Sequence, residues 1–246
     1  MLTCPPTCPQ LSPPVRRCAP VSPAMLTCPP TCPQVRSPVP RCVAMAAARL
    51  GWPRPGCSAL LLCDLQERFR GSVAAFPHIV AVAARLLQGC RILGVPALVT
   101  EQRPEVLGRT VPELGAQDVP RVPKTAFSMA GAAAPLLREP ALRHVLLCGI
   151  EAHACVLQTA LDLLEQGLDV HVVADAVSSR SQVDRALALA RMRQAGAHLS
   201  TCESLLLLLL RDSAHPKFRQ ILPLIKEPPP DTGLILGGPW GVLGGP

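Results

Sequence analysis

Residues 144–155 read HVLLCGIEAHAC, and this stretch decides the fold. The near-continuous aliphatic run over 144–149 fits a strand buried on both faces. Residues 152–165 then place apolar side chains at helical spacing, and Gly167 closes the helix. A buried strand leading into an amphipathic helix is the repeating unit of parallel sheets. The alternation continues on both sides of it. Downstream follow a strand at 170–174, a helix at 183–194 ended by Gly196, a strand at 198–201, and helices at 202–211 and 216–226. Upstream stand a strand at 58–63 ending at Asp64, a helix over 79–93 closed by Gly94, and a strand at 96–100. A turn-rich loop at 102–120, an extended piece at 119–126 containing Lys124, and a helix at 130–137 complete the series. The fold class read from this pattern is α/β: three-layer α-β-α, with a mostly parallel, doubly wound sheet. It occupies one domain, residues 56–227, with a disordered extension at 1–55 and a flexible Pro/Gly-rich tail at 228–246.

The length of 246 residues suits one such domain plus tails. Residues 1–44 hold 12 of the 29 prolines, 6 of the 12 cysteines and four arginines without an acid. They also repeat: MLTCPPTCPQ occurs at 1–10 and again at 25–34. Cys4/Cys8 and Cys28/Cys32 have zinc-ligand spacing, but Pro-rich coil offers no hairpin or helix to carry a second ligand pair, so duplicated low-complexity sequence is the reading. Outside this segment the net charge falls from +7 to +3, and aromatics are 2% of the chain, so neither a basic face nor stacking platforms for nucleic acid are expected. The longest aliphatic run, 205–210, is far short of a span, so no membrane partner is expected. Pro5, Pro6, Pro9, Pro13 and Pro14 rule out the amphipathic helix of a mitochondrial leader. Cytoplasm is the expected compartment, with the nucleus second, and the thiols are expected to be reduced.

In open parallel sheets, sites form beyond the carboxyl ends of strands. Asp64, Lys124 and Cys155 fall at such ends. A carboxylate directly after a buried run needs a reason to be there. Cys155 opens a helix, where the helix terminus and a nearby ammonium favour thiolate. Acid, cation and thiol together suit covalent catalysis. Each also has a plain structural reading: a packed cysteine, a solvated lysine. No phosphate loop occurs, and the six histidines show no ligand spacing, so no metal and no cofactor are expected.

The segments LLLCDLQERF (60–69), VPKTAFSM (122–129), LLCGIEAHACV (146–156), VVADAVSSRSQVDRALALARM (172–192) and HPKFRQILPLIKE (215–227) resemble the isochorismatase-like cysteine hydrolase superfamily. The resemblance implies Asp64 as general base, Lys124 as the triad lysine and Cys155 as nucleophile. It also implies a cis peptide between Ile150 and Glu151, and an oxyanion hole from the backbone N–H groups of Glu151 and Cys155. Such donors are typically worth about 3 kcal/mol each. Substrate contacts are expected from Gln102, Arg103 and Phe127. Thr100–Pro104 lacks the Asp and His set of metal-dependent nicotinamidases, and the thiol speaks against vinyl-ether cleavage by a true isochorismatase. Metal-independent hydrolysis of a C–N bond in a small amide or carbamoyl compound remains. The alternative is a catalytically silent protein-interaction module on the same fold. Expected partners are a small-molecule substrate of unknown identity and further copies of the chain in a homo-oligomer, with a protein partner under the alternative.

Overall fold

The apolar runs become the strands β1 (Ser58–Cys63), β2 (Ala97–Gln102), β3 (Arg121–Lys124), β4 (His144–Ile150), β5 (Asp169–Ser178) and β6 (His198–Ser200). A computed structural model describes residues 50–230. The repeat with its paired cysteines and the end of the Pro/Gly-rich tail therefore lie outside the described residues. The strands form one sheet in the order β3-β2-β1-β4-β5-β6, and every pairing is parallel. β1 and β4 are central and buried at every position, which is why their sequences are unbroken apolar runs. β3 forms one edge, where Pro123 removes no needed donor from the ladder.

Between and after the strands come α1 (Phe76–Leu93), the short α2 (Pro104–Leu107) and α3 (Ala134–Leu137), α4 (Leu157–Glu165), α5 (Gln182–Gln194), α6 (Cys202–Leu210) and α7 (Phe218–Lys226). α1, α6 and α7 pack together as one layer, and α4 with α5 forms the other. α1 alone among the described helices is long and apolar enough to cross a membrane. Its buried residues, from Phe76 through Ile79, Leu86 and Leu87 to Leu93, join the protein core. Leu205, Leu206, Leu209 and Leu210 are likewise core residues, leaving Leu207 exposed.

Several boundaries differ from the sequence reading for identifiable reasons. α1 starts at Phe76 rather than 79 because Pro77 is preset for a first helical turn. The loop at 102–120 contains α2 and a 3₁₀ turn at Pro112–Leu114, each also opened by proline. The helix expected over 130–137 shortens to α3, with proline again in its first turn. The helix expected from 152 opens as a π-helical turn, Ala152–Val156, before α4.

The largest difference lies in β5, which runs on past 174 to Ser178. Its register with β4 jumps from Leu147↔Val172 to Gly149↔Val177, so four residues bulge out opposite one. The bulge leaves carbonyls that need donors. Buried Arg185 supplies them, donating from Nε to Val177 O at 2.8 Å and from Nη2 to Ala174 O at 2.6 Å. Asp175, the polar residue that masked the strand in the sequence, accepts from the Cys202 N–H at 2.9 Å and so caps α6.

At the start of the sheet, His144, His171 and His198 line up on neighbouring strands, with ring centroids 5.7 and 5.0 Å apart. His171 is buried, and neither of its ring nitrogens has a hydrogen-bond partner among the described residues.

Candidate active site

β1, β2, β3 and β4 end at the same edge of the sheet, and the crevice between β1 and β4 is where the strand order reverses. Asp64 follows β1 directly and takes a left-handed backbone conformation, φ 49°, which Asp tolerates better than most residues. This turns the carboxylate across the strand end. Thr100 Oγ1 donates to its Oδ1 at 2.7 Å, because the β1–β2 register places Thr100 opposite Cys63.

Lys124 closes β3, and its Nζ meets five groups. It donates to Asp64 Oδ2 at 2.7 Å, Gln102 Oε1 at 2.6 Å, Phe127 O at 2.9 Å and Ala126 O at 3.1 Å. It also lies 3.6 Å from Cys155 Sγ. The three side chains are buried: relative exposures are 1% for Asp64, 7% for Cys155 and 8% for Lys124. Burial acts against the ammonium, but the Asp64 carboxylate facing it, and the hydrogen bond to that carboxylate, outweigh burial and raise its pKa.

Cys155 sits in the π-helical turn that follows β4. Its carbonyl accepts from Thr159 Oγ1 at 2.6 Å, and that hydroxyl oxygen accepts from the Met129 N–H at 2.8 Å. The bond between Ile150 and Glu151 is cis. Glu151 Oε1 accepts from Arg180 through its N–H at 3.1 Å and its Nε at 3.0 Å, which ties the turn to the end of β5. Gly149 lies beneath the turn at φ 118°, and a Cβ there would stand 2.1 Å from Cys63 O. Only glycine fits that approach.

Gln102 points inward. Its Oε1 accepts from Lys124 and its Nε2 donates to Thr125 O at 2.8 Å, so both ends of the amide orient the lysine. Gln66 stitches the loop after β1 to β2, accepting from the Gln102 N–H at 2.8 Å and donating to Gly108 O at 2.7 Å. Arg103 is paired with Glu105 at 3.0 Å and lines a cavity of about 430 Å³ together with Lys124, Ala126 and Ser128. Asp64 and Cys155 do not line that cavity. Phe127 presents an exposed ring beside the site and contributes its carbonyl to Lys124.

Metal-binding potential is confined, among the described residues, to Cys63, Asp64 and Cys155, whose donor atoms lie within 4.8 Å of one another. The Lys124 ammonium already stands against two of these groups, and burial pushes the Cys63 thiol far up, away from the thiolate a metal needs. The sequence reading missed Thr100, Gln66, Thr159 and Cys63. Thr100 alone left a trace, as a hydroxyl closing an apolar strand run.

The family model described as the isochorismatase domain matches residues 58–204. The chain belongs to the isochorismatase family. Isochorismatase domain-containing protein 2 of Pongo abelii is 61% identical over 191 residues, covering 76% of this chain and 91% of that relative. Among solved structures, one described as MAR1 ribonuclease from Caenorhabditis elegans matches with a TM-score of 0.72 and 48% identity, over 76% of this chain and 98% of that one. The YcaC gene product of Escherichia coli, described as an octameric hydrolase of unknown specificity, matches with a TM-score of 0.60 and 25% identity, over 71% of this chain and 96% of that one. This isochorismatase-family chain thus shares its parallel six-stranded sheet with a family of hydrolases.

Proposed function

We propose that the chain is a cysteine hydrolase acting on a C–N bond of a small amide or carbamoyl compound, with Asp64, Lys124 and Cys155 as its triad. The observation that carries this reading is the Lys124 ammonium, held between the Asp64 carboxylate at 2.7 Å and the Cys155 sulfur at 3.6 Å, all three buried. Asp64 takes the thiol proton, and the ammonium steadies the resulting thiolate. The sulfur attacks the carbonyl carbon, and the tetrahedral oxyanion is received by the Glu151 and Cys155 N–H groups. The C–N bond breaks as Asp64 returns its proton to the leaving nitrogen. Water, deprotonated by Asp64, then cleaves the thioester and frees the thiolate. Asp64 and Cys155 make no direct hydrogen bond in the free protein, a gap of the kind that closes when substrate binds.

The test is the rate at which iodoacetamide modifies Cys155, resolved by mass spectrometry, in the native chain and in Asp64→Asn and Lys124→Ala. Cys155 is expected to react at least about tenfold faster than buried Cys148, with the Lys124→Ala variant slowed. A panel of small amides, ureas and RNA then reads ammonia or nucleotide release. RNA is included because of the ribonuclease description of the Caenorhabditis elegans neighbour. If Cys155 reacts no faster than Cys148, the nucleophile fails and the interaction-module reading replaces it. We also infer assembly of several copies, supported by the octameric description of the Escherichia coli neighbour and read by native mass spectrometry.

A further inference from the structure

Cys63 is the one nucleophilic side chain of the site that the hydrolytic cycle leaves idle. It ends β1 immediately before Asp64, is 0% exposed, and holds its sulfur within 4.8 Å of Cys155 Sγ. Packing alone does not call for a thiol there, since valine suits a central strand position as well. We propose that Cys63 is a resolving cysteine, which condenses with the sulfenic acid a hydroperoxide forms at Cys155 and so converts irreversible oxidation into a reversible Cys63–Cys155 disulfide. The inference rests on the reading of Cys155 as the nucleophile.

The chemistry closes with the groups present. Asp64 takes the Cys155 proton and the sulfur attacks the peroxide, breaking the O–O bond; sulfur is oxidised to Cys155–SOH, and the other oxygen leaves as hydroxide (alkoxide from an organic hydroperoxide) and takes that proton, giving water or an alcohol. The Cys63 sulfur then attacks the Cys155 sulfur. The S–O bond breaks, the S–S bond forms, and the hydroxyl leaves as water with the Cys63 proton. Asp64 lies within 4.8 Å of both sulfurs and can relay that proton.

Exposure sets the order of events. Cys155, at 7%, is the thiol an oxidant meets, whereas Cys63 is sealed beneath it. Burial holds the Cys63 thiol protonated. It therefore waits as S–H instead of competing for oxidant. To join, the sulfurs must approach by less than about 3 Å, within the reach of side-chain rotation and a small shift of the helical turn. A second thiol at this distance from a sulfenic acid, able to give up its proton as it attacks, is the arrangement that keeps cysteine oxidation on its reversible steps.

The experiment treats the reduced full-length chain with hydrogen peroxide, blocks remaining thiols, and maps the digest by mass spectrometry without reduction. The expected product is a peptide pair linked through Cys63 and Cys155, with dithiothreitol restoring both thiols. In Cys63→Ala and Cys63→Ser, sulfinic acid at Cys155 is expected to accumulate at least about fivefold faster and to resist the reductant. Two variants are used because either alone could disturb β1; circular dichroism selects the folded one. Sulfinic acid appearing in the native chain at the variant rate, or linkage of Cys155 to another cysteine, overturns the proposal. Iodoacetamide run in parallel separates the two readings. Fast alkylation of Cys155 without the Cys63 link removes the resolving role alone, while slow alkylation removes both it and the hydrolase.

Discussion

At the scale of the residue, the site is a buried ion pair whose members depend on each other. Asp64 and Lys124 are 2.7 Å apart with side chains almost out of contact with water. Removing one partner of such a pair typically costs about 3–5 kcal/mol, because a charge is left buried without a counter-charge. Asp64→Asn and Lys124→Met are each expected to lose stability of about that size. The double variant should lose less than the sum of the two, and urea unfolding of the four proteins measures the coupling. Asparagine is the right replacement because it also accepts the left-handed backbone at position 64. The sequence singled out Asp64 because a carboxylate directly after an apolar strand stands out; Lys124 and Cys155 also fell beyond strand ends, but it was the resemblance of their motifs to the family that gave them roles. Thr100, Gln66 and Cys63 did not stand out, because their roles follow from the register between strands. A threonine becomes a partner of Asp64 only once Cys63 is paired with Thr100.

At the scale of the element, strands and helices were legible wherever periodicity was clean, as in β1, β4 and α1. They were not where one side chain serves another element. Asp175 interrupts the apolar run of β5 in order to cap α6, and Arg185 of α5 fills a bulge that periodicity cannot show. The histidine row across β4, β5 and β6 has a consequence for acid stability. Burial first, then the neighbouring His198 and His144, push the His171 pKa down to about 3. In the unfolded chain the ring titrates near about 6.5. Between these values the unfolded chain holds the extra proton, so stability is complete above about pH 6.5 and is lost as pH falls toward 3. The loss amounts to at most about 1.4 kcal/mol per pH unit from this residue. His171→Phe is expected to flatten that limb of a urea-midpoint against pH series. An unchanged slope would show that the ring finds a partner on protonation.

At the scale of the whole molecule, the strand order β3-β2-β1-β4-β5-β6 places the site at the reversal between β1 and β4, far from the histidine row. Asp64 and Cys155 are carried by the two strands buried at every position. Lys124 is not. It is delivered by β3, a four-residue edge strand bonded to one neighbour only, with Arg121 and Pro123 exposed. Edge segments with few buried contacts open at a lower free energy than the core. In mild urea, the alkylation rate of Cys155 is therefore expected to change before circular dichroism registers any loss of helix; coincident transitions would refute this. The protein would then be lost to function while still folded. With the proposed triad, its working lifetime would be set by how long a short border strand keeps its place, rather than by the strength of the core beside it.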